Sequence, residues 1–299
     1  MAAQKDRKPE PTGVVFDIMR FCIHDGPGIR TTVFFKGCSM RCWWCHNPEG
    51  LSPKPEMFVR RERCISCGRC GAVCKVGRER DQCIFCGECV KECHTGAREI
   101  VGRTMTVAQV MEQVEKDVIF YDESGGGVTF SGGEPLMQPD FLEAILKRCR
   151  ELEINTAVET SGYAGPEVLR RIAPYVDLFL YDVKHMDEEA HRESTGVSNG
   201  LILANLAELC AGQSRVEIRF PVIPGVNDDE DNVAALADLA AALDITGVRL
   251  LRYHSAGSEK HASLDRTYTL TDLEPPSDEK MAGIRSSFES AGVKVLNGG

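Results

Sequence analysis

Nowhere in the 299 residues is there a run of about eighteen apolar side chains, which excludes a membrane-spanning helix. The stretch that comes nearest, AALADLAAALDI, is broken by Asp238 and Asp244 and reads as a helix bathed by water. At its start, MAAQKDRKPEP carries no apolar segment of the kind a secretory signal needs. Positive charge is also in short supply: the net charge is −10, so the basic footprint of a general nucleic-acid binder is missing. No Ser-His-Asp arrangement and no phosphate-cradling P-loop can be found, and no general acid–base pair stands out. Tryptophan is confined to Trp43 and Trp44, and outside residues 38–93 cysteine is reduced to Cys22, Cys149 and Cys210, read as packing residues. The expectation is a cytoplasmic enzyme with neither a membrane nor a nucleic acid as partner.

Eleven of the 14 cysteines lie between Cys38 and Cys93. Clustering of that kind without a secretory signal argues for metal ligation in a reducing compartment and against a disulfide framework. The first group, KGCSMRCWWCHNPEG at 36–50, sets Cys38, Cys42 and Cys45 in a C-x3-C-x2-C pattern directly after the strand-like run TTVFFKG. A cubane 4Fe-4S cluster normally takes one cysteine per iron, so three thiolates leave one iron open to a small molecule. A zinc site is the alternative; it wants four closed ligands, and His46 could be the fourth.

The remaining eight belong to an internal repeat, CISCGRCGAVC at 64–74 and CIFCGECVKEC at 83–93. Each copy is C-x2-C-x2-C-x3-C, the spacing of bacterial two-cluster ferredoxins, in which the fourth cysteine of each run binds the other cluster. That pattern assigns Cys64, Cys67, Cys70 and Cys93 to one cluster and Cys74, Cys83, Cys86 and Cys89 to a second. Lys75 and His94 replace the proline expected after each run, and only residues 75–82 join the two. Residues 53–102 are accordingly read as a ferredoxin-like insertion.

Around this insertion the chain is organised as strands and helices. Residues 1–12 are expected to be disordered, VVFDIMR at 14–20 an edge strand, and HDGPGIR a turn. TTVFFKG at 31–37 begins the core. A helix at 106–121 carries apolar residues near the 3.6 period. Strands then alternate with helices: strands 128–132, 155–160, 177–183, 216–223 and 248–254, with helices 139–151, 166–173, 200–211, 229–243 and 278–291. Six strands in β-then-α order imply an α/β fold with a parallel sheet and helical crossovers. In such folds the working residues come from the carboxyl ends of the strands.

The segment HDGPGIRTTVFFKGCSMRCWWCHNPE resembles the radical S-adenosylmethionine (radical SAM) enzymes, and its D-G-P-G-x-R lead-in resembles the branch that activates glycyl radical enzymes. The resemblance extends over nearly all of residues 14–296. It implies an open, partial (β/α)6 barrel formed by 14–52 and 103–299. It also implies a cluster on Cys38, Cys42 and Cys45 whose open iron is chelated by S-adenosylmethionine. One-electron reduction then gives a 5′-deoxyadenosyl radical that takes a hydrogen atom from a backbone glycine of a large partner. With the insertion, the expected cofactors are three 4Fe-4S clusters and S-adenosylmethionine.

The same resemblance assigns residues. Trp44, Cys45, His46 and Asn47 match the adenine side, although Trp43 and Trp44 could equally be packing residues beside the cluster. Gly132 and Gly133, in SGGEP, match the turn that holds the methionine amino group, or form a tight turn and nothing more. Glu159 and Thr160 match nucleoside and carboxylate contacts, and Asp182, Val183 and Lys184 the D-x-K at the fourth strand end. His254 matches a histidine near the ribose and the substrate glycine, and Asp25 a residue beside the substrate peptide. Asp25, Lys184 and His254 are thus the residues nearest the chemistry. Relatives serve decarboxylases, dehydratases, lyases and arylsuccinate synthases.

Between Lys54 and Arg80 basic residues outnumber acidic ones; either an acidic donor, reduced flavodoxin or ferredoxin, docks there, or these cations merely offset the negative charge of thiolate-ligated clusters. The chain is expected to act as a monomer. Two other readings remain: a radical SAM enzyme acting on a small molecule or another peptide, and an iron–sulfur electron-transfer protein.

Overall fold

The computed structural model describes residues 10–77 and 82–296. Of the disorder expected over residues 1–12, residues 1–9 lie outside the described residues, as do Arg78 and Arg80 of the basic segment, whereas Thr12 already opens a strand. Eleven strands are present: β1 (Thr12–Cys22), β2 (Arg30–Phe35), β3 (Glu56–Val59), β4 (Arg98–Val101), β5 (Arg103–Thr106), β6 (Gly127–Gly132), β7 (Thr156–Thr160), β8 (Leu178–Asp182), β9 (Val216–Val222), β10 (Gly247–Arg252) and β11 (Val295–Leu296). Nine of them make one sheet in the order β11-β10-β9-β8-β7-β6-β2-β1-β5. The six strands expected from sequence, β2 and β6 to β10, run parallel. Because β11 and β5 at the two ends do not pair with each other, the sheet stays open.

Parallel strands covered on both faces should read as continuous apolar runs, and these do. Val33, Phe35, Val128, Phe130, Val158, Phe179, Ile218, Phe220 and Val248 are wholly removed from solvent. The helix Pro139–Glu151 begins on a proline, whose missing N–H costs nothing at that position, and lays Phe141, Leu142, Ile145, Leu146 and Cys149 on the sheet. Burial of each large apolar side chain contributes about 1.5–3 kcal/mol.

The single helix expected at 106–121 is interrupted. Thr106 caps Val107–Val114 through a capping box with Gln109. A 3-10 turn at Glu115–Asp117 follows, and the helix resumes as Val118–Ser124. The break comes from Asp117, a polar side chain in an apolar periodic stretch, which turns inward to accept from Arg20 Nε at 2.8 Å and Thr31 Oγ1 at 2.8 Å. Among the elements that the sequence did not announce are β5 and the helices Glu188–Thr195 and Gly257–Ser263. Each is short and mostly polar, so none carries a periodic apolar signal.

Residues 53–102 contain a two-stranded ribbon of β3 and β4 apart from the main sheet. The internal repeat folds twice with the same backbone. Ser66 and Phe85 both sit at left-handed φ, 56° and 52°, and Gly68 and Gly87 follow at 75° and 79°. One-turn helices Arg69–Ala72 and Glu88–Lys91 come next and pack against each other.

Candidate active site

The HDGPGIR turn is fixed by Arg30, the largest fully buried side chain of the protein. Its guanidinium donates to Thr129 Oγ1 (2.7 Å), Val128 O (2.7 Å), Asn155 Oδ1 (3.1 Å) and Pro27 O (3.2 Å). No carboxylate touches it, and burial lowers its pKa to about 10. Gly28, at φ +70°, faces Gly126 so closely that a Cβ on either would strike backbone. The turn therefore holds Asp25, whose Oδ2 accepts from Thr32 Oγ1 at 2.7 Å and whose carbonyl accepts from Thr129 Oγ1 at 2.7 Å.

After β2 the chain enters the cysteine loop, which is held by elements distant in sequence. Arg41 N–H donates to Thr195 O (2.7 Å) and Trp43 N–H to Ser194 O (3.0 Å), at the end of helix Glu188–Thr195. On the other side His261 Nε2 meets Cys45 O at 3.1 Å, and Lys260 pairs with Glu49 at 2.7 Å. Both short helices missed from sequence thus clamp the loop.

Cys38, Cys42 and Cys45 line one cavity of about 260 Å³ together with Asp25, Trp44, His46, Asn47, Gly132, Gly133, Glu159, Thr160, Asp182 and Lys184. Burial pushes the Cys38 and Cys42 thiols up to about 12 and the Cys45 thiol to about 11. A lone thiolate is therefore unfavourable in this loop. The iron of a cluster supplies the positive charge that three buried thiolates need, and the donor set fits such a group. Among the described residues no three His, Cys, Asp or Glu side chains close on a single ion. A zinc site requires that convergence; a four-iron cage does not.

Lys184 pairs with Asp182 at 2.9 Å; burial works against its charge, and the Asp182 carboxylate more than offsets this. Ser131 Oγ donates to Glu159 at 2.6 Å. The glycines of SGGEP serve the fold as well as the cavity: a Cβ on Gly133 would lie 2.3 Å from Gly37 O and 2.5 Å from Gly50 O, the backbone flanking the cysteine loop. Glu134, next in that turn, is fully engaged. Its carboxylate accepts from Thr160 Oγ1 (2.6 Å), Ser161 Oγ (2.6 Å), Ser161 N (2.9 Å) and Leu136 N (3.2 Å).

Two expected residues stand off the cavity wall. The Val183 side chain faces the hydrophobic core, and its N–H is donated to Arg219 O. His254 lies two residues beyond β10 and is exposed, its ring stacked on His46 at 4.1 Å between centroids. Burial lowers the His46 pKa to about 4, so it is neutral at pH 7. Trp44 lines the cavity and also packs with Ile223, Tyr253 and Tyr268, while Trp43 packs against that group. Cys149 is a core residue and Cys210 packs on the core, whereas Cys22 is half-buried near the turn.

Arg219, absent from the expected set, also lines the cavity. Its Nη1 lies 3.3 Å from Glu159 Oε1 and 3.8 Å from Asp25 Oδ1, and its Nε and Nη1 make no hydrogen bond. A signal did exist. In VEIRFPV of β9, Glu217 and Arg219 break what a strand buried on both faces should keep apolar.

A nucleotide-sized cavity at the carboxyl ends of parallel strands, bordered by a three-thiol loop, is an arrangement that comparison with known proteins can test. The radical SAM superfamily model matches residues 32–237, and the chain belongs to that superfamily. Trans-4-hydroxy-L-proline dehydratase activating enzyme of Clostridioides difficile is 43 % identical, over 96 % of this chain and 99 % of that protein. Choline trimethylamine-lyase activating enzyme of Oleidesulfovibrio alaskensis is 41 % identical, over 93 % and 95 %. A solved domain of pyruvate-formate lyase-activating enzyme from Bacteroides vulgatus superposes with a TM-score of 0.51 at 35 % identity, covering 58 % of this chain and 100 % of that one. Within the superfamily this chain is an activating enzyme of glycyl radical enzymes: an oxidoreductase that takes a hydrogen atom from a backbone glycine of its partner.

Proposed function

We infer that the chain activates a glycyl radical enzyme of the dehydratase, decarboxylase or lyase type, and that the cavity bounded by Cys38, Cys42, Cys45, Lys184 and Asp25 is where the reaction occurs. One observation carries this reading: three thiols, a buried ammonium, strand-end carboxylates and the glycine turn all border a single space. The cofactors, a three-cysteine 4Fe-4S cluster and S-adenosylmethionine, supply one-electron cleavage of a sulfonium and hence a carbon radical able to take hydrogen from glycine. The protein binds and orients. Lys184 offsets the charge of the thiolates and can pair with a carboxylate. Asp182 and Glu159 can accept from hydroxyl or ammonium groups. Gly132 and Gly133 expose backbone, and Trp44, His46 and Asn47 flank a base. Asp25 meets the incoming peptide, and His254 stands at the rim.

Residues 53–102 form, on this reading, a ferredoxin-like insertion in a barrel of residues 14–52 and 103–299, its eight cysteines holding two further clusters that relay electrons to the first. The Cys89 thiol feels the charges of Cys74 and Cys83. Their proximity supports the crossed set Cys74, Cys83, Cys86 and Cys89, with Cys64, Cys67, Cys70 and Cys93 holding the other. Reduced flavodoxin or ferredoxin is the inferred donor. Arg60 and Arg61 already pair with Glu99 and Asp265 at 2.6 Å each, so reversing them would set like charges face to face within the chain. Arg63 and Lys75, both exposed, are the residues to reverse. A monomer in the cytoplasm completes the inference.

The test is anaerobic reconstitution followed by electron paramagnetic resonance. The expected result is a glycyl radical in one candidate partner, formed with release of 5′-deoxyadenosine and lost in Cys42→Ala. Cofactor cleavage undiminished in Cys42→Ala would overturn the assignment of the loop. Arg63→Glu with Lys75→Glu should slow activation by flavodoxin and spare activation by dithionite; equal loss with both would reject donor docking there.

A further inference from the structure

Five large apolar side chains exposed to solvent lie on two segments that flank the turn carrying Asp25. Met19 and Phe21 are each 50 % exposed, Ile23 64 %, Ile119 66 % and Phe120 40 %. They come from the end of β1 and from the helix Val118–Ser124, and the Phe21 and Phe120 rings meet edge to face at 5.1 Å. Contiguous exposed apolar surface of this kind marks an interaction site.

The backbone has been shaped to present it. Phe21 sits at φ +60°, a conformation that a bulky side chain rarely adopts. The β1–β2 register shifts between Met19 and Cys22, an irregularity of the kind that re-aims a side chain. β5 pairs only with Thr12–Val15, so from Phe16 to Cys22 the outer edge of β1 pairs with no strand among the described residues. An uncovered edge bearing apolar side chains is a liability that folded proteins ordinarily blunt. Strain at an aromatic residue that stays half exposed, with only the Phe120 ring and the Arg20 guanidinium against it, points to a role outside the fold.

Both halves of the patch are fastened to the turn that carries Asp25. Ile23 leads into that turn. On the other side Ile29 N–H donates to Ser124 Oγ at 2.8 Å, at the end of the helix bearing Ile119 and Phe120. Asp25 itself lines the cavity. A glycine that must reach Asp25 in this cavity belongs to a large protein, and the surface of that protein then meets the chain around the turn that carries Asp25.

We propose that Met19, Phe21, Ile23, Ile119 and Phe120 form the docking surface for the glycyl radical enzyme, which covers them with apolar side chains flanking its glycine loop. This occupant rests on the reading that the substrate is a glycine of a folded partner. Interface aromatic residues commonly dominate binding, and substitution at such positions weakens it by factors of about thirty or more.

Two variants test the surface: Phe21→Gly, which removes the ring and suits the left-handed backbone, and Ile119→Ser. The probes are the glycyl radical enzyme that the unaltered chain activates and a synthetic peptide of its glycine loop. Expected are an apparent KM for the whole enzyme raised about tenfold or more, an unchanged rate with the peptide, an unchanged rate of 5′-deoxyadenosine release without partner, and, for Phe21→Gly, undiminished thermal stability. Parent-like KM for the whole enzyme would overturn the proposal, as would equal loss with enzyme and peptide. A change of oligomeric state in the variants would assign the patch to a second copy of this chain instead. If the unaltered chain produced no glycyl radical in any enzyme or peptide, the reading beneath the proposal would fail, and this occupant with it.

Discussion

Arg219→Met tests whether the cavity is balanced electrostatically by the one residue that sequence did not mark. The guanidinium lies 3.3 Å from Glu159 and 3.8 Å from Asp25, and all three side chains are at least four-fifths buried. At an effective dielectric of about 20, each contact amounts to about 4–5 kcal/mol of Coulomb attraction. Desolvation offsets much of that, and breaking a buried pair from one side costs about 3–5 kcal/mol. The expected loss in the metal-free chain is about 3 kcal/mol near pH 8, read by urea unfolding under reductant. The sign with pH follows from Glu159. Burial holds its carboxyl above the ordinary range while Arg219 works in the opposite direction, so the variant carboxyl rises further. A carboxyl whose folded pKa exceeds the unfolded value binds its proton more tightly when folded. Its contribution is therefore fully present below the unfolded value of about 4.3 and lost as pH rises through the folded one. The gap between parent and variant should accordingly be widest at pH 8 and shrink toward pH 5. A gap under about 1 kcal/mol at pH 8, or one that did not change with pH, would refute the account.

Gly133→Ala should lower both the melting temperature and the iron bound by the Cys38 loop, since the added carbon meets backbone on either side of that loop; parent-like iron content would contradict the packing. Glu134→Gln places an amide where every neighbour donates, leaving a backbone N–H of Ser161 or Leu136 without an acceptor. A loss of about 1–3 kcal/mol in urea unfolding is expected. Cys86→Ala should cut bound iron by no more than about a third and spare dithionite-driven cofactor cleavage, because the cysteine belongs to the repeat and not to the cavity loop. Complete loss of cleavage there would mean that the insertion cannot be separated from the site.

The six parallel strands could be read from sequence because each is an apolar run buried on both faces, a demand that leaves a plain compositional mark. Val33 and Phe35 in β2 and Phe220 in β9 are examples. That Cys38, Cys42 and Cys45 would face one space could be read for another reason: residues so close together in the chain stay together in the fold. What could not be read was support from a distance. Ser194 and Thr195 hold the cysteine loop through backbone carbonyls, whose position no side-chain pattern announces. Arg30 was visible as part of a motif, yet its task, binding five acceptors on three segments, depends on how the strands pack.

Arg219 and Phe21 show the two forms that such a residue takes, and why both break a local rule. A cation in the middle of a strand buried on both faces weakens the strand unless something across the sheet needs its charge, and Asp25 and Glu159 do. A phenylalanine at left-handed φ weakens the turn unless something outside the molecule needs its ring, and no apolar core within the chain encloses it. The first exception is settled by carboxylates already present and so belongs to the cavity. The second meets, among the described residues, the Phe120 ring and the Arg20 guanidinium and still stays half exposed, and that incomplete pairing is what the proposed docking surface rests on.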